Sequence, residues 1–372
     1  MRDSYPRLLA RALFDARYSS AVINSGVNGD TTQGGRERFE RDVLAHAPDI
    51  VVIQFGLNDQ TVRLYEPAEK VASYVSEQQF VNNLRFFTTE LRRRRVASVL
   101  MTANPMCWTP TLERHYPTGP YLNGPRGGNT LLQRYVEAER SLAHAEKIPL
   151  VDVFKEYGMR EGNAKVPLQQ LFLDDGVHPN EVGYRLNVEL LQEAIRPLLR
   201  QAPAHAVRRD YFVIKEGQLQ CAYVAGRGCR AGDNCYMLTR TEHERNPRDC
   251  VSTPAPLDDG QTRACIELTA ADQSEWEIKL DAVQAINFST ISGDVRTRGP
   301  QLEESTNKTA YAGMPKIAAG PMNIELNGEG RQLRVKIDDQ LAATFEDLDQ
   351  PIGPIELAIT LGTIRVRTFH IR

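Results

Sequence analysis

An aspartate and a histidine lie three residues apart in the stretch Leu173–Asn180, and their types and spacing suit proton transfer. His178 precedes Pro179, which biases the histidine away from helical geometry and suits the first turn of a helix predicted from Glu181 to Leu199. On so tight a turn the Asp175 carboxylate can reach Nδ1 of the imidazole, fix its tautomer and stabilise an imidazolium. The pair therefore has the features of the base half of a catalytic triad.

Two further loops carry polar groups at points where predicted strands end. The loop after the strand Ala21–Asn24 contains Gly29, whose backbone N–H could point at a ligand. After the strand Asp49–Phe55 comes Asn58, whose side-chain amide could donate to a developing oxyanion. Alone, each loop is most simply a turn or a cap. Because chemistry in doubly wound sheets gathers at the carboxyl ends of the strands, the loops together favour one shared site.

Strands alternate with helices over the first 200 residues. The periodicity predicts helices over 5–14, 35–46, 78–95, 131–147 and 181–199, and strands over 21–24, 49–55, 96–101 and 148–153. The β-branched run at 49–55 is typical of a strand buried on both faces of a parallel sheet. This alternation predicts a doubly wound α/β layer.

The period changes in the second half. Past Pro203 the helical pattern stops, and short alternating runs such as Trp276–Leu280 and Gln332–Ile337 follow, with turns predicted at 327–330 and 338–339. We therefore predict an α/β domain over residues 1–203 and an antiparallel β-sandwich or jelly roll over residues 204–372.

The composition excludes some classes of partner. With 372 residues, 41% hydrophobic and 25% charged, the chain is an ordinary globular protein with the length for two cores. Its net charge of -3 lacks the basic excess expected for nucleic acid or an anionic membrane as partner, and no apolar run is long enough for a membrane span. Five cysteines between Cys221 and Cys265 leave two disulfides or five thiols equally open.

Three short motifs resemble those of a known family. Gly-Val-Asn-Gly-Asp-Thr-Thr, Gly-Leu-Asn-Asp and Asp-Gly-Val-His-Pro-Asn, in that order within residues 1–200, look like blocks II, III and V of the SGNH or GDSL hydrolases. The resemblance implies a flavodoxin-like sheet and a Ser-His-Asp esterase. It assigns His178 and Asp175 to the triad and Gly29 and Asn58 to the oxyanion hole, and it calls for no cofactor and no metal.

The block that carries the family's serine nucleophile departs from the pattern. The family places that serine in a Gly-Asp-Ser turn after the first strand, whereas no strand precedes Ser4, which stands where a helix N-cap is expected. In the family topology the first strand lies between those at Ile23 and Val51, so its loss would open two buried edges. We expect residue 1 to be internal to the natural protein, with the strand and serine lost upstream. The alternative is a pseudoenzyme that binds without hydrolysing.

The segment from Thr102 to Asn129 is long, rich in proline and leaves the carboxyl end of a predicted strand. Such loops often wall a binding pocket, and Trp108 and His115 are its candidate substrate-contacting residues. An aromatic platform for a sugar and simple packing of the loop are equally open interpretations of Trp108.

The C-terminal end, residues 338–372, resembles the last strands of concanavalin-like and laminin-G-like sandwiches, which implies a glycan-binding accessory role; a stabilising scaffold is equally open. We predict an esterase that removes acetyl or other short acyl groups from a small-molecule or glycan ester. The alternatives are a glycan-binding pseudoenzyme and a lipase or lysophospholipase. The compartment is undecided, with an extracytoplasmic or secreted location favoured, because a lost N-terminus could have carried a signal peptide.

Overall fold

The computed structural model describes residues 4–62, 73–115, 127–162, 167–199, 211–216, 218–220, 222–225, 229–231, 235–240, 250–254, 262–280, 285–292, 294–298, 317–329, 332–345 and 354–371. The chain divides into two compact units. The α/β unit comprises Arg2–Leu8 and Gly26–Leu199, and the β unit comprises Met1, Leu9–Ser25 and Arg200–Arg372. The boundary between residues 203 and 204 stays a prediction, and residues 9–25 group with the second unit.

The helices of the described residues lie before residue 200. They are α1 (Tyr5–Asp15), α2 (Thr32–Glu37), α3 (Phe39–Asp42), α4 (Glu77–Arg93), α5 (Pro110–His115), α6 (Asn129–Glu146), α7 (Val153–Gly162) and α8 (Glu181–Ile195), with short 3-10 turns at Leu44–His46, Leu168–Leu171 and Arg196–Leu198. In α4 the residues Phe80, Leu84, Phe87 and Leu91 recur every three or four positions, and each is at most 2% exposed. This apolar stripe forms part of the core of the α/β unit.

The strands follow the same chain order. They are β1 (Ala21–Asn24), β2 (Ile50–Gln54), β3 (Ala97–Met101), β4 (Leu150–Val151), β5 (Tyr211–Lys215), β6 (Gln218–Leu219), β7 (Ala222–Ala225), β8 (Cys229–Ala231), β9 (Cys235–Arg240), β10 (Cys250–Ser252), β11 (Thr262–Ala270), β12 (Glu275–Lys279), β13 (Ala285–Ser289), β14 (Asp294–Arg298), β15 (Gly320–Glu329), β16 (Gln332–Ile337), β17 (Gln340–Phe345) and β18 (Glu356–Ile371).

The α/β unit contains a parallel sheet in the order β2-β3-β4. Gln54 at the end of β2 lies opposite Met101 at the end of β3, so the loops that follow both strands leave from the same edge. Helices connect these parallel strands, which is the alternating α/β architecture predicted from the sequence.

The β unit is built mainly of antiparallel strands around one hydrophobic core, as predicted. Its long strand β18 changes partners along its length: residues 356–361 pair with β12, and residues 362–366 pair with β9. Trp276 is 1% exposed and stacks on Phe288 at a centroid distance of 5.3 Å in this core. Buried and outward positions alternate along these strands, and this produces the alternation of apolar and polar residues in the sequence.

Two segments of the α/β unit differ from the predicted boundaries. The helix predicted over 35–46 is interrupted at Arg38, which has φ -104° and ψ 2°. The Arg38 guanidinium bonds to Asp30 at 2.8 Å and to Asp42 at 3.4 Å, and these contacts favour the break over a continuous helix. The strand predicted over 148–153 is reduced to β4, because Val153 already begins α7.

The expected neighbours of two strands are also different. β1 pairs in parallel with β7 of the β unit rather than in the sheet of β2. The β-branched run at 49–55 predicts a strand buried on both faces, but within β2 only Ile53 is buried and the other residues are half-buried. Within the described residues β2 has a neighbour on one side, β3, which accounts for this exposure.

A bulge changes the outward face of β17. The alternating pattern predicts that Leu341 points inward, yet Leu341 is 38% exposed and Ala342 is fully buried. The register between β16 and β17 shifts at Val335 and Lys336, so β17 holds one extra residue there and Leu341 lies opposite Lys336 rather than opposite a buried residue.

Candidate active site

The predicted Asp–His pair forms as expected. Nδ1 of His178 lies 2.8 Å from Oδ2 of Asp175. The other carboxylate oxygen accepts the backbone N–H groups of Val177 at 2.8 Å and His178 at 2.9 Å. Partial burial opposes ionisation of Asp175, but these hydrogen bonds outweigh it and lower the pKa of Asp175 below its ordinary value. The carboxylate is therefore charged and aligned to orient the imidazole.

The turn that carries this pair is closed at both ends. The N–H of Leu173 donates to the carbonyl of His178 at 2.9 Å, and Phe172 and Pro179 form an antiparallel bridge. Asn180 caps α8 by accepting the N–H of Val182 at 2.9 Å. The sequence Asp-Gly-Val-His-Pro-Asn thus builds a tight turn that ends directly in a helix cap.

The loop after β3 holds this turn from a second direction. Cys107 N–H donates to the Gly176 carbonyl at 2.8 Å, and the Asn104 side chain donates to the Val177 carbonyl at 3.0 Å. Gly176 has φ +69°, and a Cβ on it would lie 2.2 Å from the Cys107 carbonyl oxygen. Glycine is required there by both conformation and space. Sequence reasoning missed Asn104 and Cys107, because their partners are far away in the chain.

The two predicted oxyanion-hole residues lie on loops that are bonded together. Gly29 has φ +73° in a turn closed by the Asp30 N–H on the Val27 carbonyl at 3.2 Å. The Asn58 side-chain amide donates to the Asp30 carbonyl at 2.9 Å. This bond fixes the Asn58 amide beside the Gly29 turn.

A buried carboxylate that sequence reasoning missed joins the same loops from within. Asp59 is 0% exposed, and it accepts the Thr32 N–H at 2.9 Å, the Thr32 hydroxyl and the Gly56 N–H at 3.2 Å. Burial raises the pKa of Asp59, although these hydrogen bonds act in the opposite direction. Asp59 therefore ties the start of α2 to the turn that presents Asn58. The one sequence signal was its place beside Asn58 after a strand.

A small hydrophobic cluster connects the base side of the site to the oxyanion side. Its buried members are Ala103, Met106, Leu112, Leu132 and Val136, and Leu57, Trp108, Phe154 and Val177 pack against them. Leu57 precedes Asn58, and Val177 precedes His178. The loops that carry Asn58 and Trp108 follow β2 and β3, which end at the same edge, and the cluster joins both loops to the turn of His178.

Trp108 and His115 are the two candidate substrate-contacting residues predicted on the long loop after β3. Trp108 is half-buried, and its ring lies so close to Gly127 that a Cβ there would be 2.3 Å away. These contacts are those of a side chain that packs within its own loop. A role of Trp108 as an aromatic platform for a sugar stays a prediction. His115 is the last residue of α5, and its side chain lies outside the described residues.

Ser4 occupies a helix cap, as predicted. It directly precedes α1, and its carbonyl accepts the Leu8 N–H at 3.1 Å. Within the described ranges, the hydrogen-bond partner of the His178 ring is Asp175 alone. The same ranges contain no group of three or more His, Cys, Asp or Glu side chains able to hold a metal ion. None of the helices in this part of the chain is long and apolar enough to cross a membrane.

The His178–Asp175 pair and the bonded loops of Gly29 and Asn58 thus lie on one alternating α/β fold. Residues 2–186 match the sequence model of the GDSL-like Lipase/Acylhydrolase family. This part of the chain belongs to that family, whose members include esterases.

Several named proteins are similar to this chain. It is 29% identical over 180 residues to the uncharacterized lipoprotein YqeF of Bacillus subtilis, which covers 46% of this chain and 72% of YqeF. It is 27% identical over 192 residues to esterase TesA of Pseudomonas aeruginosa, covering 52% and 78%. The crystal structure of the lipase/acylhydrolase from Enterococcus faecalis superposes with a TM-score of 0.42 at 25% identity, covering 54% of this chain and 88% of that one.

Proposed function

We propose that this protein is a serine esterase that removes acetyl or other short acyl groups from a carbohydrate. The observation that carries the proposal is the His178–Asp175 pair, bonded at 2.8 Å beside the joined loops of Gly29 and Asn58. A related acetylxylan esterase of Geobacillus stearothermophilus supports the substrate class; it is 32% identical over 81 residues, which is 22% of this chain and 36% of that protein.

The proposed reaction uses these groups in sequence. A serine hydroxyl gives its proton to Nε2 of His178 while its oxygen attacks the ester carbonyl, and Asp175 stabilises the imidazolium. The Gly29 N–H and the Asn58 amide donate to the oxyanion of the tetrahedral intermediate. His178 then protonates the departing alcohol. In the second half-reaction it deprotonates the water that hydrolyses the acyl-serine.

The exposure of the base side supports a large alcohol as the leaving group. The side chains of His178 and Asp175 are 66% and 45% exposed. An acyl group can occupy the site while the rest of a glycan stays in solvent. A short acyl group also needs no long apolar channel, which would be the requirement for a lipase. For the β unit we propose glycan binding or a scaffold role, and an extracytoplasmic or secreted location would fit a polysaccharide substrate.

The mechanism requires a serine on the Nε2 side of His178. The family resemblance puts it in a Gly-Asp-Ser turn, whereas Ser4 caps a helix. We therefore expect hydrolysis from a form of the protein that carries such a turn. Residues 1–372 alone should show little or none.

The test compares residues 1–372 with the same chain extended by the in-frame sequence upstream in its gene. Substrates are p-nitrophenyl acetate, p-nitrophenyl decanoate and an acetylated xylo-oligosaccharide. The extended protein should hydrolyse the two acetyl esters, and His178→Ala should abolish this. His144→Ala, at an exposed position on α6, is the control and should have no effect. A folded extended protein that carries Gly-Asp-Ser and hydrolyses none of the three esters would refute the proposal, and a preference for the decanoate would indicate a lipase.

The second candidate is a glycan-binding pseudoenzyme. It is favoured by the His178 ring having Asp175 as its hydrogen-bond partner in the described residues, without a serine. An upstream frame without Gly-Asp-Ser, together with glycan-array binding by residues 1–372, would support this candidate over the esterase.

A further inference from the structure

A glutamate in the core of the α/β unit has no part in the proposed mechanism and is placed where a charge is costly. Glu139 on α6 is 1% exposed, and within the described residues its Oε1 has no hydrogen-bond partner. A buried carboxylate without a partner is strongly disfavoured, so such a group takes up a proton instead. A neutral carboxyl group is also a hydrogen-bond donor.

The cation that acts on Glu139, Arg140, is already engaged. Arg140 makes two hydrogen bonds to Asp152, at 2.8 and 2.9 Å, and a third to Glu137 at 2.6 Å. Burial, followed by the negative charge of Asp152, raises the pKa of Glu139 well above its ordinary value, and Asp59 acts in the same direction. Arg140 opposes this shift without cancelling it.

The other charged groups on the elements around α6 are paired near the helix ends. From α4, Glu77 bonds to Arg134 at 3.1 Å, and Arg85 bonds to Glu146 at 2.9 Å. Two further carboxylates act on Glu139: Asp59 on the loop after β2, and Asp152 at the end of β4. Tyr135, one helical turn before Glu139, is a further titratable group on this face of α6. Among the described residues, Arg140 is the cation that acts on Glu139.

Hydrogen bonds already connect this face of α6 to the turn that carries Asn58. The Tyr135 hydroxyl donates to the Val75 carbonyl at 2.7 Å, and the Val75 N–H donates to the Asp59 carbonyl at 3.1 Å. Gln60, the next residue, is 2% exposed, and its side-chain oxygen is a second buried acceptor with no partner in the described part of the chain. A proton on Glu139 would turn two unsatisfied oxygens into a donor and an acceptor.

We propose that Glu139 is a positioning residue that holds the Asn58–Gln60 turn from beneath by donating a hydrogen bond from a neutral carboxyl group, directly or through one internal water. The inference rests on the proposed function only in treating Asn58 as an oxyanion donor. As pH rises and Glu139 ionises, the donor is lost and the turn loosens. The site therefore has an alkaline limit set by a residue remote from the reacting atoms.

Hydrogen exchange of the Asn58–Gln60 amides, measured across pH on residues 1–372, tests the pH dependence. In the wild type, protection should fall with rising pH by at most about tenfold per pH unit, the limit for one linked proton. Glu139→Gln keeps a donor at every pH and should give a flat protection profile. Glu139→Leu has no donor and should lack the added protection throughout. Glu137→Gln removes an exposed charge two residues away and should behave as wild type.

Infrared difference spectra between wild type and Glu139→Gln test the protonation directly. The carbonyl stretch of a protonated carboxylic acid should appear at neutral pH and should be absent from the difference between wild type and Glu137→Gln. Absence of that band, or parallel exchange profiles for wild type and Glu139→Gln, would overturn the proposal, even if Glu139→Leu fails to fold. Neither measurement needs turnover, so an inactive protein leaves this inference standing and an ionised Glu139 leaves the esterase proposal standing.

Discussion

Asp175 and Asp59 are both carboxylates of the candidate site, and they are held in opposite ways. Asp175 has a 45% exposed side chain and bonds to groups within three residues of itself. Asp59 is fully buried and bonds to Thr32, 27 residues away in the chain. The base side of the site is thus a local turn open to solvent, whereas the oxyanion side is built into the core. A buried polar group with all its partners rigidifies a structure and is costly to disrupt.

The largest expected difference is in stability. Asp59→Ala removes three hydrogen bonds to a buried carboxylate and should lower the free energy of unfolding by about 3–5 kcal/mol. Asp175→Ala removes an exposed pair and should cost about 1 kcal/mol or less. Urea unfolding of both variants measures this, with Asp174→Ala at an exposed neighbouring position as control. Equal losses for the two variants would contradict the comparison.

The difference between local and long-range contacts also decides which site residues can be predicted from the sequence. Asp175 and His178 are predictable because the carboxylate, the histidine and the proline that fixes the turn lie in one short stretch. The bond from Asn104 to Val177 spans 73 residues, and nothing local to Asn104 indicates its partner. The alternation of helices and strands is likewise a local pattern. The pairing of β1 with β7 depends on contacts over 200 residues, which periodicity does not encode.

An intermediate effect is expected from two of the glycines with positive φ, Gly176 on the base side of the site and Gly29 on the oxyanion side. Gly176→Ala places a Cβ 2.2 Å from a backbone oxygen at φ +69°, and should cost about 2–4 kcal/mol because backbone cannot yield as a side chain can. Gly29→Ala has a similar φ, +73°, but no atom within 4 Å of the new Cβ, so it should cost about 1–2 kcal/mol. Thermal unfolding ranks the two variants. A larger loss for Gly29→Ala would show that the oxyanion loop is the more constrained side.

The smallest expected effect is on the pH dependence of stability. Its sign should differ between Asp175 and Asp59. The folded-state pKa of Asp175 lies below the ordinary value of 3.8, so its contribution to stability is present above pH 3.8 and is lost as pH falls through the folded pKa. The folded-state pKa of Asp59 lies above 3.8, so its relative contribution is full below pH 3.8 and declines as pH rises through the folded pKa. The measurement is the free energy of unfolding of the wild type minus that of each variant, Asp175→Asn or Asp59→Asn, between pH 3 and pH 7. With rising pH this difference should increase for Asp175→Asn and decrease for Asp59→Asn. Slopes of the same sign would mean that solvent reaches Asp59, and that the two sides of the site are held alike.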